Sequence, residues 1–385
     1  MKRRLKKKGM MEEQFNWIFI LIIGAVIILF FVKVVYNQKT ISERKLAAKV
    51  LNELNLLSVG AEVATSTSSR IGISGNPIAF ECSEECKCEY YMKDFGNTYT
   101  VSYNSRALFA PSVVTADQDA IAWALDWNMP YKVTNFLYVT SPDVLYVFLD
   151  EGVSQTPDYL QQIVNDLPDD IDNGKKGDMI YDVNSANVPY ANEYEVRIVA
   201  YNFADIHDIS KVIDGPTGSL KDVDYRKISV LEVSLPQGSS DYGTLRFYNV
   251  APDRSLIQKP DASTSTYYAG EASLIGAILT DNYYNYVCPM EAGFMRLNHV
   301  NDIYMTRNGY LEGRYYNAAT PDKCYLTYHD AETPLSTIRS NSDGYFSEST
   351  GWDGKIGLIY QSSFGLTSLS SQNEKALLFS CPEIF

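Results

Sequence analysis

The sequence predicts a mixed α+β and α/β chain: an N-terminal transmembrane helix continuing into a stem helix, an exodomain with a small α/β sheet, and a C-terminal helical part. Three observations carry that reading. Residues 15–32 contain no charged side chain. Beyond them, apolar residues recur at spacings of three and four. Farther on, apolar runs of strand length alternate with helical ones, before a last stretch whose apolar stripe is again helical.

Taking the elements in order, a helix over residues 15–32 rises about 1.5 Å per residue and so matches the roughly 30 Å thickness of a hydrocarbon core. A secretory signal peptide has a shorter apolar region followed by small residues. Here Lys33, Tyr36, Asn37 and Lys39 follow instead, so no cut is expected on that side. Lys2, Arg3, Arg4, Lys6, Lys7 and Lys8 precede the span. Such clusters stay in the cytoplasm, which predicts a single-pass protein in the cell membrane with the remaining chain outside. Trp17 and Tyr36 suit the two interfaces of the bilayer. The stem follows, with Ala47, Val50, Leu51, Leu54, Leu57 and Ala61 on one face. Serines and threonines, then Gly72 and Gly75-Asn76-Pro77, stop it. The expected division is a basic leader at 1–14, the transmembrane helix at 15–36, the stem at 37–70, a mostly β segment with a cysteine cluster at 71–136, an α/β domain at 137–260, and a mainly helical, cysteine-linked part at 261–385.

Lys8-Gly9-Met10-Met11, lying just before the span, resembles the class III signal of archaeal type IV pilin-like proteins. The resemblance covers about the first 40 residues. It implies cleavage between Gly9 and Met10 by a prepilin-type peptidase on the cytoplasmic side, a retained helix, and other pilin-like or envelope proteins as partners. Gln14 stands where bacterial relatives carry an assembly glutamate. The body is large for a pilin, so a minor or initiating subunit, or a lone anchored protein, fits better than a major filament subunit.

Charge supports an exported body. Of 33 Lys plus Arg, 8 lie before Thr40, as do 2 of 47 Asp plus Glu, leaving 25 against 45 and a net charge of about −20 beyond it. A surface that acidic repels nucleic acid, so the lipid bilayer, not RNA or DNA, is the expected partner of the basic leader. Six cysteines fit an oxidising compartment. Cys82, Cys86 and Cys88 stand close together, and Cys288, Cys324 and Cys381 lie downstream, where they are expected to tie the C-terminal helices. At least one bridge is expected in each group, and the odd number in each leaves either one cross-link between groups or two free thiols. No histidine stands near the first cluster, so a metal reading of it is disfavoured.

Short strands are expected near residues 78–80 and 99–103. Trp123, Trp127, Tyr131, Phe136 and Tyr138 follow, read as core in preference to a binding surface. LYVTSPDVLYVFLD, EYEVRIVAY, RKISVLEVSL and GTLRFYNV read as strands. TPDYLQQIVNDL, with Thr156 as cap and Pro157 at its first position, and ADIHDISKVIDG read as helices between them. That alternation predicts a sheet with parallel pairs. A long helical region from about 271 to 304, with Leu274, Ile278, Asn282, Tyr286, Met290, Phe294, Leu297 and Val300 as its stripe, is expected to break at Gly276, at Cys288-Pro289 and at Gly293. Glycine-rich turns and a last helix are expected after it, with the C-terminus pinned by Cys381.

For chemistry, neither G-x-G-x-x-G nor G-x-x-x-x-G-K-[ST] occurs, so no nucleotide cofactor is expected. G-x-S-x-G and H-E-x-x-H are also missing. His207 between Asp205 and Asp208, His299, and His329 beside Asp330 could each pair with a carboxylate for acid/base work, but surface or capping roles are favoured. PDDIDNGKKGD, residues 168–178, clusters carboxylates with glycine as a Ca²⁺ loop does but lacks EF-hand spacing, and a solvated turn is the favoured reading. There is no N-x-[ST] sequon. Two function classes remain: a membrane-anchored surface or pilin-like interaction protein, which is favoured, and an anchored enzyme or solute-binding protein with its site on the α/β sheet.

Overall fold

The computed structural model describes residues 9–61, 68–73, 76–92, 100–104, 106–115, 119–150, 158–168, 171, 180–182, 194–214, 220–235, 241–261, 264–316, 322–342, 352–360 and 365–385. The chain divides into two compact units, Met1–Val50 and Leu51–Phe385. Helix α1 (Gly9–Ala61) crosses that division. It ends earlier than the expected stem, and Ser68 to Arg70, assigned above to the stem, open strand β1 (Ser68–Gly72). Within the second unit the last turns of α1 are tied by polar bonds. The Arg106 guanidinium donates to Asn55 Oδ1 at 2.7 Å and to Ser58 Oγ at 2.5 Å, and the Tyr90 hydroxyl donates to the Leu51 carbonyl at 3.4 Å.

Three sheets follow. Strands β2 (Ile78–Cys82), β3 (Cys88–Met92), β4 (Thr100–Ser102) and β6 (Val113–Val114) form a small antiparallel sheet in the order β4-β3-β2-β6. β1, β5 (Leu108–Phe109), β7 (Asp119–Asn128) and β8 (Lys132–Thr140) form the second, in the order β1-β7-β8-β5. The boundary expected after residue 136 therefore falls inside β8. The third sheet holds β9 (Val144–Asp150), β10 (Ile180–Asp182), β11 (Glu195–Tyr201), β12 (Ile228–Ser234), β13 (Tyr242–Val250), β14 (Leu256–Lys259) and β15 (Thr266–Ala269). Its β10, β9, β11 and β12 run parallel, as the alternation of strand and helix requires, and β13 to β15 extend it antiparallel. Helices α2 (Asp158–Asp166) and α3 (Ser210–Asp214) supply crossovers. Ile163, Val164 and Leu167 from the α2 segment join the core with Val199 and Leu231, whereas Val212 and Ile213 of α3 join the opposite face with Ile198 and Val230. Parallel strands covered on both faces must be apolar throughout, which is why these runs read as continuous rather than alternating. The cap expected at Thr156-Pro157 lies outside the described residues.

The C-terminal part is helical but divided differently from expectation. Helix α4 (Glu271–Leu279) is followed by α5 (Tyr283–Tyr315), so the break lies at Thr280 to Asn282, where the Asn282 side chain caps α5 by accepting from the Tyr284 amide at 2.9 Å. Pro289 sits early in α5 and removes one helical bond, that to the Asn285 carbonyl, without ending the helix. Gly276 and Gly293 do not break helices either. A Cβ at Gly276 would lie 2.7 Å from the Phe109 ring, and one at Gly293 would lie 3.0 Å from the Phe136 ring. Each glycine is a notch that lets a helix close onto an aromatic of the second sheet. Nor do turns follow at once: α5 runs eleven residues past Tyr304, and α6 (Lys323–Ser342), a 20-residue helix with Pro334 inside it, stands where glycine-rich turns are expected. Helices α7 (Trp352–Tyr360) and α8 (Leu366–Leu378) complete the chain.

The aromatic run is core. Trp127 stacks on Phe136 with centroids 4.9 Å apart, Phe136 meets Phe109 edge-on at 5.0 Å, and Phe294 of α5 meets Trp127 at 5.3 Å. Burial forces the polar tips of these rings to find partners. Trp127 Nε1 donates to the Ala269 carbonyl at 2.7 Å, and the Tyr138 hydroxyl donates to the Ala272 carbonyl at 2.6 Å.

Candidate functional site

In the first unit, Trp17–Lys39 is a 23-residue helical stretch of mean hydropathy 3.2 with none of it buried inside the protein. A helix of this composition in a soluble core would be covered; this one leaves Trp17, Leu21 and Leu29 about 70% exposed. It is long and apolar enough to cross a membrane. Lys8 lies outside the described residues. Gly9 and Met10 are the first two residues of α1, where backbone amides have no partner within the helix.

In the second unit all six cysteines are bonded. Cys82 pairs with Cys88 directly across the β2–β3 ladder, and Cys86 in the turn between them pairs with Cys288 of α5. Cys324 at the start of α6 pairs with Cys381 beyond α8. Of the two alternatives left open by the sequence, the cross-link between groups is the one present. Only Cys324 and Cys381 tie C-terminal elements to each other; Cys288 reaches back over 202 residues instead. Asn285 reinforces that junction, accepting from the Cys82 amide at 3.0 Å and donating to the Phe80 carbonyl at 3.0 Å. No thiolate is left in the cluster to hold a metal.

The histidines do not assemble an acid/base pair in a pocket. His207 donates its backbone amide to Asp205 Oδ1 at 2.9 Å, with Nδ1 at 2.8 Å from the same oxygen, on the exposed start of a short 3₁₀ turn. Those bonds, the backbone one first, hold the Asp205 carboxyl below its usual range. His299 is exposed on α5, and His329 lies 2.9 Å from Glu312, not against its neighbour Asp330. Residues 169–170 and 172–178 of the acidic loop lie outside the described residues.

A cleft of about 520 Å³ opens at the N-terminal ends of β9, β11 and β12, the end opposite to that where α/β sheets usually bind ligands. Its wall brings Glu195 and Asp281 together with Arg197, Lys227 and Lys259, over an apolar floor that includes Tyr146. Arg197 is 3% exposed and donates to the carbonyls of Ala277, Ile278 and Thr280, closing the C-terminal end of α4. Burial pulls its pKa down to about 10, against the opposing pull of Asp281. Asp281 accepts from the Ser112 amide at 2.7 Å and its hydroxyl at 2.9 Å, which joins the helices to the small sheet. Burial, and then the Asp281 charge, raise Glu195 above the ordinary carboxylate range. Sequence reasoning missed this site because its residues come from separate elements and share no motif.

No protein-family model, curated protein or solved structure matches the chain.

Charges of both signs face the cleft across a few side chains, Glu195 and Asp281 against Arg197, Lys227 and Lys259. Arg197 and Asp281 are already engaged in holding α4 and the small sheet, so they fix the cleft's shape as well as its charge.

Proposed function

We propose that this is a single-pass, membrane-anchored cell-surface protein whose N-terminus is cytoplasmic and whose acidic, disulfide-linked body lies outside, processed after Gly9 in the manner of archaeal pilin-like proteins. The observation that carries the reading is the fully uncovered apolar helix directly after six basic residues within the first eight. Three disulfides agree with an oxidising compartment. A minor or initiating subunit, or a lone anchored protein, fits the large body. Its partners are then the bilayer, a prepilin-type peptidase, and other pilin-like or envelope proteins.

The test is the intact mass and N-terminal sequence of the protein extracted from its native membrane. A chain beginning at Met10 is expected. A chain that keeps Lys2 to Gly9 refutes the pilin-type processing and leaves an ordinary signal anchor. The mixed-charge cleft favours a second reading, an anchored solute-binding protein for a small zwitterionic compound.

A further inference from the structure

Helices α5 and α6 pack antiparallel through a row of buried asparagines. Asn298 donates to the Ser342 carbonyl at 3.4 Å, Asn301 to the Leu335 carbonyl at 2.9 Å, and Asn308 to the Tyr328 carbonyl at 2.8 Å. Directional bonds at three levels fix the register of one helix on the other. On the solvent rim of that seam the same register pairs Asp302 with Arg339 at 2.8 Å and, ten residues along one helix and ten back along the other, Glu312 with His329 at 2.9 Å. Glu332 follows His329 by three residues and so shares its face of α6. One ligand atom from each of Glu312, His329 and Glu332 lies within 4.8 Å of the others.

We propose that Glu312, His329 and Glu332 form a site for a first-row divalent metal ion of the zinc type, clamping α5 to α6. Imidazole nitrogen with two carboxylates is a donor set that such ions take, at about 2.0–2.2 Å from each donor. Donors around one ion then stand roughly 3.3 Å apart, so the Glu312–His329 edge is already close to the required length, and Glu332, exposed on the helix surface, closes the rest by rotation about its side-chain bonds. The His329 ring is stacked on Tyr325, with centroids 5.7 Å apart and planes inclined by 12°, which holds its orientation before any ion arrives. Gly309 lies one turn before Glu312 on α5, and nothing stands within 4 Å of where its Cβ would be, so that face beside Glu312 is open and the last coordination position falls to water. The signal in the sequence was His-x-x-Glu within one turn; Glu312, seventeen residues upstream, is joined to it only by the packing of the two helices.

The test uses the full chain in detergent, washed with chelator and dialysed against Zn²⁺, with Co²⁺ as a spectroscopic substitute. The acidic surface binds some zinc by itself, so the readout is a difference. The protein is expected to hold one more tightly bound Zn²⁺ than Glu332→Gln or His329→Ala, each weakened at least about tenfold, and Co²⁺ loaded at one equivalent should show visible absorption that both variants lose. Asp302→Asn, on the same rim but outside the ligand set, should bind like the parent. Gly309→Asp, which adds a fourth donor, should bind more tightly. Equal zinc content in the parent, Glu332→Gln and His329→Ala would overturn the proposal, as would the lack of any retained Zn²⁺ in the parent.

Discussion

Two seams run along the C-terminal helices, and they are closed by opposite chemistry. Where α4 and the first turns of α5 meet the second sheet, the contact is made of rings: Phe109 and Phe136 enter the notches at Gly276 and Gly293, and Trp127 stacks behind them. Where α5 continues against α6, the contact is made through side-chain amides, with Asn298, Asn301 and Asn308 each donating to a backbone carbonyl of the facing helix. Rings give a large non-directional gain and specify position by shape. Amides gain little net energy, because their hydrogen bonds replace bonds to water, but a shift of register would leave each of them buried and unpaired. The first seam is therefore expected to carry stability, and the second to carry alignment.

Removing a ring should have the largest effect. Phe136→Ala deletes a side chain that touches Phe109, Trp127 and the Gly293 notch, and a loss of about 3–5 kcal/mol is expected in denaturant unfolding of the full chain. A loss below about 1 kcal/mol would mean that the rings are not what holds this seam. Next comes Asn301, which is fully buried and links both seams, since it also accepts from the Tyr131 hydroxyl at 2.7 Å. Asn301→Ala strands that hydroxyl and removes the cross-helix bond to the Leu335 carbonyl, which keeps its own helical partner, and should cost about 2–3 kcal/mol. Tyr131→Phe alone should cost about 1 kcal/mol, and the double variant should cost less than the two added together. Strict additivity would show that the two groups do not interact.

The smallest expected effect separates the seams by pH. Glu271, in the first turn of α4, has its pKa raised from 4.5 to about 7, first by burial and then by the Asp166 carboxyl hydrogen-bonded to it. Its folded state binds a proton more tightly than the unfolded chain, so its contribution is favourable at low pH and declines as pH rises from about 4.5 through about 7. Glu271→Gln should therefore gain stability relative to the parent between pH 4 and pH 8, by about 1 kcal/mol, a figure kept small because water screens a half-buried group. A difference that stays constant over that range would show that Glu271 does not titrate with folding.

Much of the fold was legible because it rests on local pattern. The apolar helix, the apolar runs of β9, β11 and β12, and the helical segments between them follow from periodicity over a few residues. Helix α6 carried the same kind of signal, with Tyr328, Ala331, Leu335 and Ile338 all buried at helical spacing, but Pro334 and the surrounding threonines and serines obscured it. The glycines misled for the opposite reason. A missing side chain reads as a break in one dimension, whereas at Gly276 and Gly293 it is the space into which a ring from another element fits.

By itself the sequence determined that this chain has one helix long and apolar enough to span a bilayer, a strongly acidic remainder, paired parallel strands and a helical end, because hydrophobic period and charge are properties of neighbours along the chain. Only the tertiary structure decided which cysteines pair, which face of α5 meets α6, where a cleft opens beside Glu195 and Asp281, and that Glu312 stands beside His329. Those outcomes depend on contacts between residues tens to hundreds of positions apart, selected by packing shape and by hydrogen bonds that form only once the elements have met.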